Sequence, residues 1–120
     1  MCKEVSYNTK RIEAFIGDNP AVMQKMVNIF LTNAPKMLVE MHKSFEIKDY
    51  KNLNFHAHKL KSSIFNFNII NIEEDIRLIE RYAKEGSSLE ELQALIEKVD
   101  LILNQALLKI KKDFEIEDTR

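Results

Sequence analysis

The sequence predicts an all-α fold, an antiparallel up-down-up-down four-helix bundle with a short extra N-terminal helix. Three observations carry that prediction. Only 2 Gly and 2 Pro occur in 120 residues, too few for the many tight turns of an all-β fold. Apolar residues recur at helical spacing through four long segments. Those segments are joined by short connections, which favour antiparallel neighbours. A hydrophobic fraction of 45% suffices for one core, so residues 1–120 read as a single domain, ordered over about 7–114 with frayed termini.

Tyr7–Ile16 is the expected first helix, with Ile12, Phe15 and Ile16 apolar and Gly17 as its stop. Asn19 is the N-cap of the second, and Pro20 takes its first position, where a missing N–H costs nothing. This helix runs to about Ser44 with the stripe Val22, Met26, Ile29, Phe30, Met37, Leu38 and Met41; Pro35 inside it is expected to kink it. Asp49 caps a third helix, from about Tyr50 to Phe67. Its stripe Leu53, Ala57, Leu60, Ile64 and Phe67 advances in steps of 4, 3, 4 and 3. A turn over Asn66–Asn71 follows, and Asn71 caps the fourth helix. Glu73, Glu74 and Asp75 suit the positive end of its dipole. Ile72, Ile76, Ile79, Tyr82 and Ala83 form its stripe, and Gly86 ends it. Ser88 and Glu91 form a capping box for the last helix, which reaches about Phe114. It buries Leu92, Leu95, Ile96, Val99, Ile102, Leu103, Ala106 and Ile110, and the polar Glu115–Arg120 frays.

Composition removes several function classes. A net charge of −1 provides no global basic field for nucleic acid, and two glycines cannot build nucleotide-binding loops. The single cysteine, Cys2, forms neither an internal disulfide nor a Cys-rich zinc site, and fits a reducing cytoplasm. No apolar run approaches the ~18–20 residues that span a bilayer, and the N-terminus lacks a signal peptide's apolar core. The expectation is a cytoplasmic monomer without nucleic-acid or membrane partners, metal or cofactor. A start at Met1 without a linker favours a stand-alone protein.

One stretch carries chemistry: Ala57-His58-Lys59-Leu60-Lys61-Ser62-Ser63. On a helix His58, Lys61 and Ser62 share a face. His58 follows Ala57 of the core stripe and so points about 100° away from it. Asn54, His58, Lys61 and Phe65 continue along that neighbouring face. From Tyr50 to Ile72 no Asp or Glu occurs, while Lys51, Lys59, Lys61, His56 and His58 do. A phosphoryl group arriving at His58 is therefore expected to meet cations and not carboxylates. His56 and His58 diverge by about 200° on a helix and do not share a metal. His42, in another helix, reads as a surface residue. Met23, Met26, Met37 and Met41 read as core filler.

This stretch resembles the signature of histidine phosphotransfer (HPt) domains, Ala-His-x-Leu-Lys-Gly-Ser or close to it. Gly17-Asp18-Asn19-Pro20, the Phe30-Leu31 segment ending in Pro35, the Glu80 region and the long last helix fall where that family has counterparts. The resemblance covers roughly Ile12 to Ile110 and implies a four-helix bundle with an exposed histidine. It implies that His58 is the phospho-acceptor and that Lys61 stabilises the phosphoryl group. Ser62 stands where the family usually has Gly, small enough to admit a partner and with a hydroxyl for the phosphoryl group or the ring. Asn68 stands at a second Gly position, where Asn best tolerates left-handed backbone. The implied donor is an aspartyl phosphate on a receiver domain, the implied partners response-regulator receivers or a hybrid sensor kinase, and any Mg²⁺ belongs to the receiver. The chain would be a phosphoryl carrier in two-component signalling, with no nucleotide site of its own. Asn54, Ile64 and Phe65, with Met23 and Val27, are the expected docking residues. The alternative is a non-phosphorylated adaptor bundle that binds a receiver or sensor kinase, motivated by Ser62 and Asn68.

Overall fold

A computed structural model describes residues 5–115. Five helices follow in order: α1 (Lys10–Ile16), α2 (Pro20–Glu46), α3 (Tyr50–Asn66), α4 (Glu73–Glu85) and α5 (Leu89–Asp113), with a turn of 3-10 helix at Ile70–Ile72 before α4. No strand occurs among the described residues. Helix α2 packs on α3, α3 on α4, α4 on α5, and α5 back on α2. These adjacencies close a ring around one core. The 27 residues of α2 span about 40 Å at ~1.5 Å per residue, close to the longest molecular dimension of 43 Å.

Several ends form for local reasons. The Asn19 side chain accepts from the Val22 N–H at 3.2 Å, with Pro20 at the first position of α2. Asp49 caps α3 in the same way, accepting from Asn52 N–H at 3.2 Å. Gly86 closes α4 at φ 66 and ψ 31, a left-handed geometry without cost for glycine. Asn68 adopts φ 50 after α3 and so does a glycine's work. Helix α2 runs continuously through Pro35, which lies on its exposed side. There the loss of one backbone hydrogen bond is least costly.

The stripe of α3 is buried throughout: Leu53, Ala57, Leu60 and Ile64 are fully enclosed and Phe67 nearly so, stacked on Phe30 at 4.3 Å. The α4 and α5 stripes are also buried, except that Tyr82, Leu95 and Ile102 are half-exposed and Leu107 joins the core. In α2 the buried line is Val27, Phe30, Ala34, Leu38, Met41 and Ser44. Val22 and Ile29, expected inside, are exposed, as is Phe15 of α1. An apolar-rich helix has more apolar residues than one core face accommodates, and the small Ala34 and Ser44 mark the real line of close approach. Met41 is core, with Met23, Met26 and Met37 packed against it.

Three expected ends form differently. Helix α1 begins at Lys10, not Tyr7, because residues 5–8 hydrogen-bond to other elements instead. Asn8 N–H donates to the Phe67 carbonyl at 3.0 Å, Tyr7 Oη–H to Asp113 Oδ2 at 2.8 Å, and Lys109 Nζ to the Val5 carbonyl at 3.3 Å. Arg11 adds a bond to the Phe65 carbonyl at 3.0 Å. This N-terminal strap reaches carbonyls at the end of α3: Asn8 N–H takes that of Phe67, and Arg11 adds a second donor to that of Phe65, which already accepts from Asn68 N–H at 3.1 Å. Asn71 is not the cap of α4: its Oδ1 accepts from Ser6 N–H at 3.2 Å, and Ile72 holds the cap position without a side-chain bond. The Ser88–Glu91 capping box does not form either. Ser88 is left-handed at φ 55 and makes no capping bond. Of the segment expected to fray, residues 116–120 lie outside the described residues, as does Cys2.

Burial fixes the expected mutational response. Ile64→Ala should lower stability by about 3 kcal/mol, and Phe15→Ala, at an exposed site, by less than about 0.5 kcal/mol. Urea denaturation monitored by circular dichroism checks both.

Candidate functional site

Helix geometry brings two rows of side chains together. On α3, Asn54, His58, Lys61 and Phe65 each follow a buried stripe residue: Leu53, Ala57, Leu60 and Ile64. On α4, Arg77, Glu80 and Lys84 follow buried Ile76, Ile79 and Ala83 in the same way. One residue is about 100° of helix turn, so both rows flank the line where α3 and α4 meet. Between them lies a groove of about 700 Å³, lined in part by Lys61, Phe65, Arg77, Glu80, Arg81 and Lys84.

Glu80 joins the two rows. His58 Nδ1 lies 2.5 Å from its Oε2 and Lys61 Nζ 2.6 Å from its Oε1. Asn54 Nδ2 donates to the Glu80 backbone carbonyl at 2.7 Å. A carboxylate only accepts hydrogen bonds, so Nδ1 carries the proton. The lone pair of neutral His58 then sits on Nε2. The His58 side chain is 61% exposed, whereas Glu80 is 21% exposed. Burial works to raise the Glu80 carboxyl, but hydrogen bonds from Lys61 and His58, together with their charge, outweigh it and hold Glu80 below the ordinary carboxylate value. Ser62 is exposed one turn beyond His58, and the ring nitrogen is held by Glu80 rather than by the serine.

The expected residues thus divide. His58, Lys61 and Ser62 share the exposed edge of α3 as their spacing requires. Asn54 turns inward to α4, and Phe65 is half-buried with the Arg77 guanidinium 5.0 Å above its ring. Ile64 is a correction: it is fully enclosed and offers nothing to a partner, and Val27 is the same. A docking role and a core-stripe position are incompatible on one side of a helix. The exposed aromatic beside His58 is Phe55, one turn earlier, 53% exposed with Lys59 Nζ 5.0 Å from its ring centroid.

The expectation that His58 meets only cations is also corrected, because Glu80 reaches it from α4. The absence of acids from Tyr50 to Ile72 describes one helix, and the carboxylate belongs to its neighbour. The available signal was positional: Glu80 follows core Ile79 as His58 follows core Ala57. His42 is likewise more than a surface residue. Its Nε2 lies 2.6 Å from Asp100 Oδ2 and links α2 to α5.

The comparison with protein families can be placed on this fold. The model of the Hpt domain matches residues 25–110. The chain belongs to the HPt domain family. The match takes in α3, α4 and most of α2 and α5, and so contains the whole His58–Glu80–Lys61 arrangement. No curated protein and no solved structure matches the chain. HPt domains are phosphocarrier modules of two-component phosphorelays and interact with receiver domains and kinases. No described helix of this HPt chain is long and apolar enough to cross a membrane.

The lowered Glu80 value gives a pH dependence with a definite sign. Its folded value lies below the ordinary 4.5, so its stabilisation is complete above that value and is lost as pH falls through the depressed one. Glu80→Gln should remove this part of the acid limb, leaving a shallower loss of stability below the ordinary glutamate range. Urea midpoints of both proteins, taken from neutral pH downward, measure it.

Proposed function

We propose that this HPt domain accepts a phosphoryl group on Nε2 of His58 from the aspartyl phosphate of a receiver domain, and passes it to another receiver. The observation that carries the reading is the oriented imidazole: Glu80 holds Nδ1–H, which leaves the lone pair on Nε2 of a largely exposed side chain, with Lys61 one turn on. The Nε2 lone pair attacks phosphorus, the P–O bond to the aspartate breaks, and the aspartate leaves as a carboxylate. The proton stays on Nδ1, and the positive charge that the phosphorylated ring acquires lies against the Glu80 carboxylate. Lys61 supplies a cation for the equatorial oxygens, with Ser62 as the small neighbour that admits the donor.

Mg²⁺ belongs to the receiver in this reading. Among the described residues no three His, Cys, Asp or Glu side chains gather as a metal site. The domain works as one unit and a monomer in the cytoplasm, with α2–α5 running up-down-up-down. The short connections over residues 47–49 and 86–88 and the closed ring of helix contacts support that arrangement. Receivers and a hybrid sensor kinase are its partners.

Incubation with a phosphorylated receiver should give the wild type an acid-labile, base-stable phosphate and leave His58→Gln unlabelled. Lys61→Ala should slow transfer on the order of 10²-fold, as loss of one charge-stabilising donor does. Equal labelling of wild type and His58→Gln overturns the assignment. A receiver that binds His58→Gln and wild type alike without labelling either would favour the adaptor reading. Protein mixed with labelled ATP alone should stay unlabelled.

A further inference from the structure

The groove between α3 and α4 carries four cations, Lys61, Arg77, Arg81 and Lys84, against two carboxylates, Glu74 and Glu80. In a chain of net charge −1 this is a local reversal. Glu80 is held by His58 and Lys61, and Asp75, one residue beyond Glu74, pairs with Lys98 of α5 at 3.0 Å. Arg77, Arg81 and Lys84 are exposed in one row along α4. Among the described residues neither arginine forms an ion pair or donates a hydrogen bond. Each lies instead over an aromatic ring, Arg77 at 5.0 Å from Phe65 and Arg81 at 5.3 Å from Tyr82. A guanidinium laid on a ring is held in orientation while its N–H edges stay available for bidentate contact with a carboxylate.

Glu80 fixes where this charge acts. It lines the groove and also holds His58 at Nδ1, so the groove opens beside the imidazole and lies within the footprint of a protein domain that reaches Nε2. A protein that carries an aspartyl phosphate binds its Mg²⁺ through carboxylates, so that rim is acidic. We infer that the α3/α4 groove docks the carboxylate-bearing rim of the receiver's active site, with Arg77 and Arg81 as the residues that attract and hold that rim. The inference rests on the phosphotransfer reading above and adds its recognition surface.

The test is the rate of transfer from a phosphorylated receiver to the full chain, followed against receiver concentration and salt. Arg77→Gln/Arg81→Gln should lower the second-order rate constant about tenfold at low ionic strength and leave the saturating rate unchanged. Added salt should bring wild type and variant together, since screening removes the same attraction. Arg77→Lys/Arg81→Lys keeps the charge and should recover most of the low-salt rate, which separates lost charge from damaged folding. A glutamine variant with the wild-type rate constant and salt dependence overturns the docking assignment, as does a loss confined to the saturating rate. A wild type that takes no label overturns the phosphotransfer reading and the docking surface with it, so the wild-type lane tells the two failures apart.

Discussion

The carboxylate of Glu80 is the constraint on which the site depends. It receives the imidazole of His58 on one oxygen and the ammonium of Lys61 on the other, while the backbone carbonyl of the same residue receives Asn54. Three side chains of α3 are therefore referred to one residue of α4. At 21% exposure Glu80 is screened less than a fully solvated acid, so its contacts are stronger than those of an ordinary surface pair. The arrangement sets the imidazole tautomer, keeps Lys61 within one turn of His58 and ties the register of the two helices.

Such a bridge is useful only if the helices beneath it do not move, and the core supplies that. Leu53, Ala57, Leu60 and Ile64 on α3 face Ile76, Ile79 and Ala83 on α4, all buried. His58 and Lys61 on α3, and Arg77, Glu80 and Lys84 on α4, each sit one position after a buried residue. A close-packed core therefore determines both the rotation of each helix and the direction of its functional row. His58 is exposed but its Cα is anchored by Ala57, which has no side-chain freedom to lose. Rigidity and accessibility come from adjacent residues.

What could be read from the sequence follows the range of the interaction. The α3 stripe, the caps at Asn19 and Asp49, the stop at Gly86 and the left-handed Asn68 depend on residues within one or two turns, and all were legible. So were the shared face of His58, Lys61 and Ser62 and the likeness to HPt domains. Glu80 was not legible as a partner of His58, because the pairing needs the rotation of two helices at once. The N-terminal strap escaped for the same reason. Its bonds run from residues 5–8 to Phe67, Asn71, Lys109 and Asp113, and a polar segment gives no periodicity by which to foresee them. In α2 the apolar residues outnumber the places in the core, so hydrophobicity alone admitted Val22 and Ile29 where packing selected Val27 and Ala34.

Ser62 looks different once the imidazole is seen to be held from α4. If the ring were free, a residue bulkier than glycine beside it would disturb its orientation as well as its access. With Nδ1 bound to Glu80, orientation is fixed independently of Ser62, and the hydroxymethyl group affects only the approach to Nε2. That approach has two unlike borders. On one side stands the ridge of α3, with Phe55 under Lys59 and then Ser62; on the other lies the cationic groove against α4. In the phosphotransfer reading proposed above, a partner satisfying both presents an apolar contact and an acidic rim at one spacing around its phosphorylated residue. The serine thus narrows the entrance while the two borders select what enters, so access and chemistry are governed by different residues of the same site.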